Sequence, residues 1–187
     1  MTTLDVTPTR PLNYDPVTKA LHWAMALVIP VAWVLAVVLE NLPRESRGSL
    51  MFFHKSFGVL VLALLVVRLL WRVTHTAPDT EKTPWEPWAH LAAKAGHGLL
   101  YLLMIGVPVG GIVTSFANGR SVPFFGLFEI ASPWATKQAF AGNVAEMHEV
   151  FAHLLMLVAF GHAVVGILHH AVLKDRTLLK MKPFARA

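Results

Sequence analysis

Four stretches of this chain are free, or nearly free, of formal charge over lengths that match the hydrocarbon thickness of a bilayer. Lys94 and Arg120 bracket 25 uncharged residues, Glu149 and Lys174 bracket 24, and Lys19 and Glu40 bracket 20. Each run is long enough to cross about 30 Å as a helix. A fourth stretch, Leu50 to Trp71, carries Lys55 and Arg68 near its ends, where long side chains snorkel to the interface. The expectation is an all-α membrane protein: a four-helix transmembrane bundle in a single domain, residues 1–187, with helices at about 17–39, 50–72, 95–117 and 146–173.

Composition agrees. Hydrophobic residues make up 55% of the 187 positions and charged residues 14%, too apolar for an ordinary soluble domain. Residues 1–16, with Pro8, Pro11 and Pro16, read as an extended arm before a helix that starts near Pro16 or Val17. That helix is too long for a cleavable signal, so it is expected to stay as an anchor. Asn41 to Ser49 form a tight first loop and Thr74 to Pro87 a proline-rich second. The third, about Asn118 to Glu146, is half apolar and contains Pro123-Phe124-Phe125-Gly126-Leu127-Phe128; part of it is expected to lie on the membrane surface as a cap.

Lysine and arginine fall unevenly about this frame. The N-terminal arm, the second loop with its flanks and the tail hold eleven, among them Arg10, Arg68, Arg72, Lys174 and Arg186. The other side holds five: Arg44, Arg47, Lys55, Arg120 and Lys137. The positive-inside rule then puts both termini in the cytoplasm. The basic pI is explained by this topology and not by nucleic acid, because no basic stripe with interleaved stacking aromatics is present. The chain has no cysteine, which excludes disulfides, iron–sulfur clusters and covalent c-type haem. Any haem must be held by histidine or methionine.

Four histidines carry the chemistry. His148 and His162 are 14 residues apart in one apolar segment, nearly four helical turns, so they share a face about 21 Å apart along the axis. With the N-terminus inside, His22 is at the inner end of the first helix, and His54 and His148 are at the outer ends of the second and fourth. The depths match in pairs: His54 with His148 to clamp an outer haem, His22 with His162 an inner one. Bis-imidazole iron has no open position and suits one-electron transfer. Gly58, Gly161 and Gly166 on the histidine helices, and Gly96, Gly98, Gly106, Gly110 and Gly111 on the third, leave room for a flat macrocycle, although small residues also serve ordinary membrane helix packing.

The other histidines are less pointed. His75 and His90 fall in the second loop and read as solvated. His153, five residues past His148, is rotated to another face and reads as a helix contact. His97 opens the third helix at the inner depth, compatible with a rival inner ligand, a proton relay or an interface residue. His169 and His170 stand near the cytoplasmic interface, where a quinone head group needs polar partners and a proton source; snorkelling interfacial histidines are the plainer alternative.

The combination Leu21-His22-Trp23, Phe53-His54-Lys55-Ser56-Phe57-Gly58, Val66-Val67-Arg68-Leu69-Leu70-Trp71-Arg72, Gly96-His97-Gly98-Leu99-Leu100-Tyr101, Met147-His148-Glu149, Gly161-His162 and His169-His170, followed by Lys174-Asp175 and Thr177-Leu178-Leu179, resembles the bacterial cytochrome b-561 family. The resemblance covers nearly the whole chain and is specific as a joint pattern. It implies an inner-membrane cytochrome with two haem b, whose ligand positions fall on His22 with His162 and His54 with His148. It also implies superoxide oxidase activity, with an electron passing from periplasmic superoxide through the haems to ubiquinone. The long N-terminal arm and the third loop depart from the family pattern.

Beside that resemblance, Lys55, next to His54, together with Arg44, Arg47, Arg120 and Lys137, can build a positive field for a small anion, or simply be loop residues at a lipid surface. Arg68 and Arg72 can pair with haem propionates, and they also satisfy the positive-inside rule without any haem. Two other classes stay open: a cytochrome b anchor linking a hydrogenase or another dehydrogenase, as redox partner protein, to the quinone pool, and a histidine-lined metal transporter, which the scarcity of carboxylates at the helix ends disfavours.

Overall fold

A computed structural model describes residues 11–183 of the chain. Arg10, Arg186 and most of the expected N-terminal arm lie outside the described residues. The first helix, α1, spans Pro16–Glu40. It begins where Asp15 accepts from the Thr18 N–H at 2.9 Å, with Pro16 at the first helical position, where its missing N–H costs nothing. A single 3-10 turn, Arg44–Ser46, leads into α2, Gly48–Thr74. The third helix, α3, runs Trp88–Ala117. Two short strands follow, β1 Val122–Phe124 and β2 Phe128–Ile130, paired antiparallel with Val122 opposite Ile130. The last long helix, α4, spans Ala141–Leu168, widens into a π turn at His169–Leu173 and ends in a corner before the short α5, Thr177–Met181.

Counting that π turn with α4, the four long helical stretches are 25, 27, 30 and 33 residues, about 38 to 50 Å at 1.5 Å per residue. Each outruns the hydrocarbon core, so its ends stand in the interfacial zones. Their outer surfaces carry large exposed apolar side chains, including Leu27 at 67%, Leu157 at 66% and Phe160 at 69% exposure. Such surfaces suit lipid and not water. The chain is a multi-pass membrane protein.

The helices run alternately between two ends, called here the terminal face, which holds the starts of α1 and α3 and the end of α4, and the hairpin face. Packing is closest between α1 and α2 and between α3 and α4; α2 joins the two pairs through α3, while α1 and α4 touch lightly. The packed core is small: Met25, Val61, Leu65, Leu103, Met104 and Leu155, with contributions from all four helices. It lies at mid-depth, at the level halfway along α4 between His148 and His162.

Each face has its own clasp. At the hairpin face Ser56, with 0% exposure, donates from Oγ to the Phe52 carbonyl at 2.9 Å, approaches the Pro123 carbonyl at 3.3 Å and accepts the Phe125 N–H at 2.9 Å. Phe125 has φ 48° and Gly126 φ 77°, the paired left-handed residues of the tight turn that matches strand twist. Phenylalanine rarely adopts this conformation, and the bond to Ser56 helps to hold it. At the terminal face Trp71 donates to Asp15 at 3.0 Å, Trp23 donates to the Met181 carbonyl at 2.8 Å, and Lys180 donates to the Asp79 carbonyl at 2.7 Å and pairs with Glu81.

Three features differ from the sequence reading. The third helix begins at Trp88, not near residue 95, because the charge-free window ends at Lys94 while Ala89-His90-Leu91-Ala92-Ala93 continues the helix beyond it. His90 therefore stands in the first turn of α3 and not in a loop. The third loop folds into the β-hairpin, and α5 is an added element.

Two outcomes follow from these clasps. Ser56→Ala leaves the Phe125 N–H without its partner and should cost about 1–3 kcal/mol, read as a lower unfolding midpoint in detergent and faster protease cleavage between β1 and β2. Asp15 and Asp175 both lie in the terminal face; burial pulls each carboxyl upward, but hydrogen bonds to Thr18 and Trp71, and to Thr177 and His169, outweigh it and hold both below 3.8. The stability they contribute is present above that value and is lost as the pH falls through their lower folded values. Pepsin cleavage of the tail should rise over that acid range, and Asp175→Asn should flatten the rise.

Candidate haem-binding site

His54 on α2 and His148 on α4 face each other across the interior near the hairpin face, with ring centres 6.1 Å apart. Each ring is fixed by a neighbouring helix. The His54 Nδ1–H donates to the Ala32 carbonyl of α1 at 2.9 Å, and the His148 Nδ1–H donates to the Val107 carbonyl of α3 at 2.8 Å. Both carbonyls lie close to a proline inside the helix, Pro30 and Pro108. With Nδ1 carrying the proton, Nε2 keeps its lone pair. Backbone carbonyls set metal-ligating histidines in this way.

The glycine pair of α3 shapes the same place. A Cβ on Gly111 would stand 2.9 Å from His148 Cε1, and one on Gly110 would stand 3.7 Å from His148 Cβ. Any side chain at 111 would force the imidazole or α3 to shift. Trp33 Nε1 and Thr114 Oγ1, next to Ala32 and one turn beyond Gly110, are buried with no hydrogen-bond partner among the described residues. Buried polar groups of this kind call for a partner such as an ordered water, an ion or a ligand.

Near the terminal face, His22 on α1 and His162 on α4 have ring centres 6.2 Å apart. This end is built differently. Arg68 Nη1 approaches His22 Nδ1 at 3.4 Å, and Arg68 Nε donates to the Tyr101 hydroxyl at 3.4 Å. His97 is closer still to His162, at 5.3 Å between ring centres, while its Nδ1–H donates within α3 to the Ala93 carbonyl at 2.7 Å. Three imidazoles thus meet at this end and two at the other.

Two imidazoles on opposite sides of one metal ion, each bonded at about 2.0–2.1 Å, have ring centres about 6 Å apart. Both pairs have that separation. Among the described residues no group of three or more His, Cys, Asp or Glu is placed to hold a metal ion by itself, whereas a pair of histidines is a donor set that would hold a b-type haem, which would supply one-electron chemistry.

The remaining residues singled out by sequence take separate places. Lys55 donates to the Ser121 carbonyl at 2.9 Å and lines a cleft of about 410 Å³ at the hairpin face with Arg120 and Glu129. Arg47 turns to the carbonyls of Leu42 and Glu40, and Arg72 is exposed at the end of α2. His153 meets Trp33 edge-on at 5.8 Å, and His75 stacks on Trp71 at 3.8 Å. His169 Nδ1 bonds the Asp175 carboxylate, whereas His170 opens onto a second cleft at the terminal face. Sequence reasoning named neither the Ala32 and Val107 carbonyls nor the bond between His169 and Asp175. Backbone carbonyls leave no mark in residue types, and the six-residue spacing of His169 and Asp175 is not a helical one.

Gly111→Ala should drive the His148 ring away from α3 and lower the haem-to-protein ratio of the purified protein, measured by pyridine haemochrome. Gly142→Ala, where a Cβ meets nothing within 4 Å, should leave the ratio unchanged.

Comparison with known proteins places the chain in a family. A family profile described as prokaryotic cytochrome b561 matches residues 13–184. The chain is 30% identical over 173 residues to cytochrome b561 homolog 2 of Escherichia coli K12, covering 91% of this chain and 92% of that protein. It is 31% identical over 176 residues to the probable superoxide oxidase CybB of Yersinia pestis, covering 93% and 98%, and 30% identical over 175 residues to cytochrome b562 of Cereibacter sphaeroides, covering 90% and 94%. Four membrane-spanning helices, paired imidazoles fit for b-type haem, and a family match over nearly the whole length lead to one conclusion: the chain belongs to the prokaryotic cytochrome b561 family of membrane electron-transfer cytochromes.

Proposed function

We propose that this cytochrome carries two b haems, one held by His54 and His148 and one by His22 and His162, and passes single electrons from superoxide at the hairpin face to ubiquinone at the terminal face. The observation that carries the reading is the repetition of one ring separation, 6.1 and 6.2 Å, at two depths of α4. The excess of lysine and arginine at the terminal side supports an orientation in the inner membrane with both termini in the cytoplasm. The probable superoxide oxidase among the relatives supports the donor.

Bound haem b supplies a one-electron acceptor and donor at each depth. The protein's own residues do the rest. Ala32 and Val107 hold the hairpin-face imidazoles in the tautomer that presents Nε2, and Gly111 gives His148 its place. Arg68, tied to Tyr101 beside His22, puts a fixed positive charge at the terminal-face pair, available to a haem carboxylate. At the hairpin face Lys55 and Arg120 set two cations against the single carboxylate of Glu129 in one open cleft, and a small anion is drawn toward it. Two superoxide anions, one quinone and two protons yield two dioxygen molecules and one quinol, so electrons and charge balance with no further reactant.

Two experiments bear on this directly. His54→Ala and His148→Ala should remove the same spectral component, and His22→Ala and His162→Ala the other, each leaving about one haem per chain. Unequal losses within a pair would refute the pairing, with His97→Ala as the test of the third imidazole. For the donor, Lys55→Gln should slow haem reduction under a superoxide flux by about 3- to 10-fold at low salt and flatten its ionic-strength dependence, whereas Glu129→Gln should speed it. Haem that stays oxidised in the unmutated protein under that flux would sink the superoxide reading, and co-purification of a large redox partner would turn attention to the anchor role.

A further inference from the structure

Lys19 stands apart from the other cations of the terminal face. It is only 7% exposed, whereas Arg72, Lys82, Lys94, Lys174, Arg176 and Lys182 are all exposed. Those six satisfy the positive-inside rule from the interface, and a lysine that merely snorkelled would keep its head among them. Lysine is almost never enclosed without a partner.

Helical spacing fixes its place. Asp15, at the start of α1, Lys19 and His22 are four and three residues apart and share one face. Both ends of that stripe meet α2: Trp71 donates to Asp15 at 3.0 Å, and Arg68 Nη1 lies 3.4 Å from His22 Nδ1. Lys19 therefore sits on the α2-facing stripe between these contacts, one turn from His22. Its natural partner four residues back, Asp15, is occupied: Oδ1 takes the Thr18 N–H and the Trp71 indole, and Oδ2 takes the Thr18 hydroxyl. Asp175 is bonded to His169 and Thr177, and Glu81 pairs with Lys180. Among the described residues the Lys19 ammonium has no hydrogen bond and no ion pair.

An enclosed ammonium on the same helix face as an imidazole that already meets Arg68 calls for an anion. A free inorganic anion would have to shed its water to reach this interior position. Haem b carries two carboxylates on an apolar ring, so its anions come with the group that the histidines hold. Arg68 can serve one of them: its Nε is on Tyr101 and its Nη1 is beside His22, which leaves Nη2. The other needs a second cation, and a lysine offers three donors on a flexible stem. Arg72, the other arginine expected at a propionate, is exposed at the end of α2.

We infer that Lys19 is a positioning residue for the terminal-face haem, its ammonium donating to one propionate while Arg68 holds the other. The inference rests on the reading that His22 and His162 hold a haem.

Haem release from the purified holoprotein to excess apomyoglobin tests it. Release should run in two phases, the terminal-face phase being the one absent from His162→Ala. Lys19→Gln should speed that phase about tenfold and leave the other unchanged, and Lys19→Arg should recover most of the loss. Lys19→Gln should also lower the midpoint potential of the terminal-face component alone, since removing a nearby cation disfavours the added electron. Protein reloaded with haem dimethyl ester, whose carboxylates are blocked, should release the terminal-face group at the same rate in parent and Lys19→Gln. An ester-loaded variant that still releases it about tenfold faster than the ester-loaded parent would overturn the inference, because Lys19 would then support the helices and not a carboxylate. Release and potential unchanged by Lys19→Gln would overturn it as well. Parent protein that gives up a single haem in one phase would overturn the terminal-face haem itself, and the Lys19 pairing with it.

Discussion

Hydrocarbon offers no hydrogen bonds, and most of what this structure does follows from that. Each long helix closes its own backbone bonds, so polar side chains placed at depth must find partners from one another or from carbonyls that can be shared. His54 and His148 solve this with one ring nitrogen apiece, on Ala32 and Val107. The bond that makes the imidazole tolerable in the membrane is also the bond that frees its other nitrogen for a metal. The backbone satisfies one nitrogen of each ring and leaves the other with its lone pair.

The two ends meet that requirement unequally. Near the hairpin face the rings are held by backbone carbonyls and by a glycine surface, all rigid parts of helices. Near the terminal face His22 meets Arg68, a long side chain with several rotatable bonds that is itself tied to Tyr101, and His97 crowds His162 from α3. One end is fixed by main chain and the other by side chains.

The parts of this arrangement legible in the sequence were those written in composition and in helical periodicity. Charge-free runs located four helices, since charge is what lipid excludes, and the 14-residue interval of His148 and His162 placed two rings on one face because α4 is continuous between them. Periodicity fails where the helix does. The His169–Asp175 bond crosses a π turn and a left-handed residue, and the hairpin turn depends on a phenylalanine at a position that usually takes glycine or asparagine. The early start of α3 was hidden for another reason: Lys94 ends a window of hydropathy but not a helix. Composition reported the solvent along the chain, and the backbone obeyed a different rule at its ends.

The mid-depth core has a role beyond holding the helices together. Met25, Val61, Leu65, Leu103, Met104 and Leu155 form a layer between the two histidine levels, with no oxygen or nitrogen in any of their side chains. A proton crossing such a layer needs a chain of donors and acceptors, or must bear the cost of a bare charge in a medium of low dielectric constant, several kcal/mol at least. An electron tunnels through saturated side chains and needs neither. On the proposed two-haem reading such a layer would act as a selective insulator, letting electrons pass between the two faces while its six core side chains offer a proton no relay.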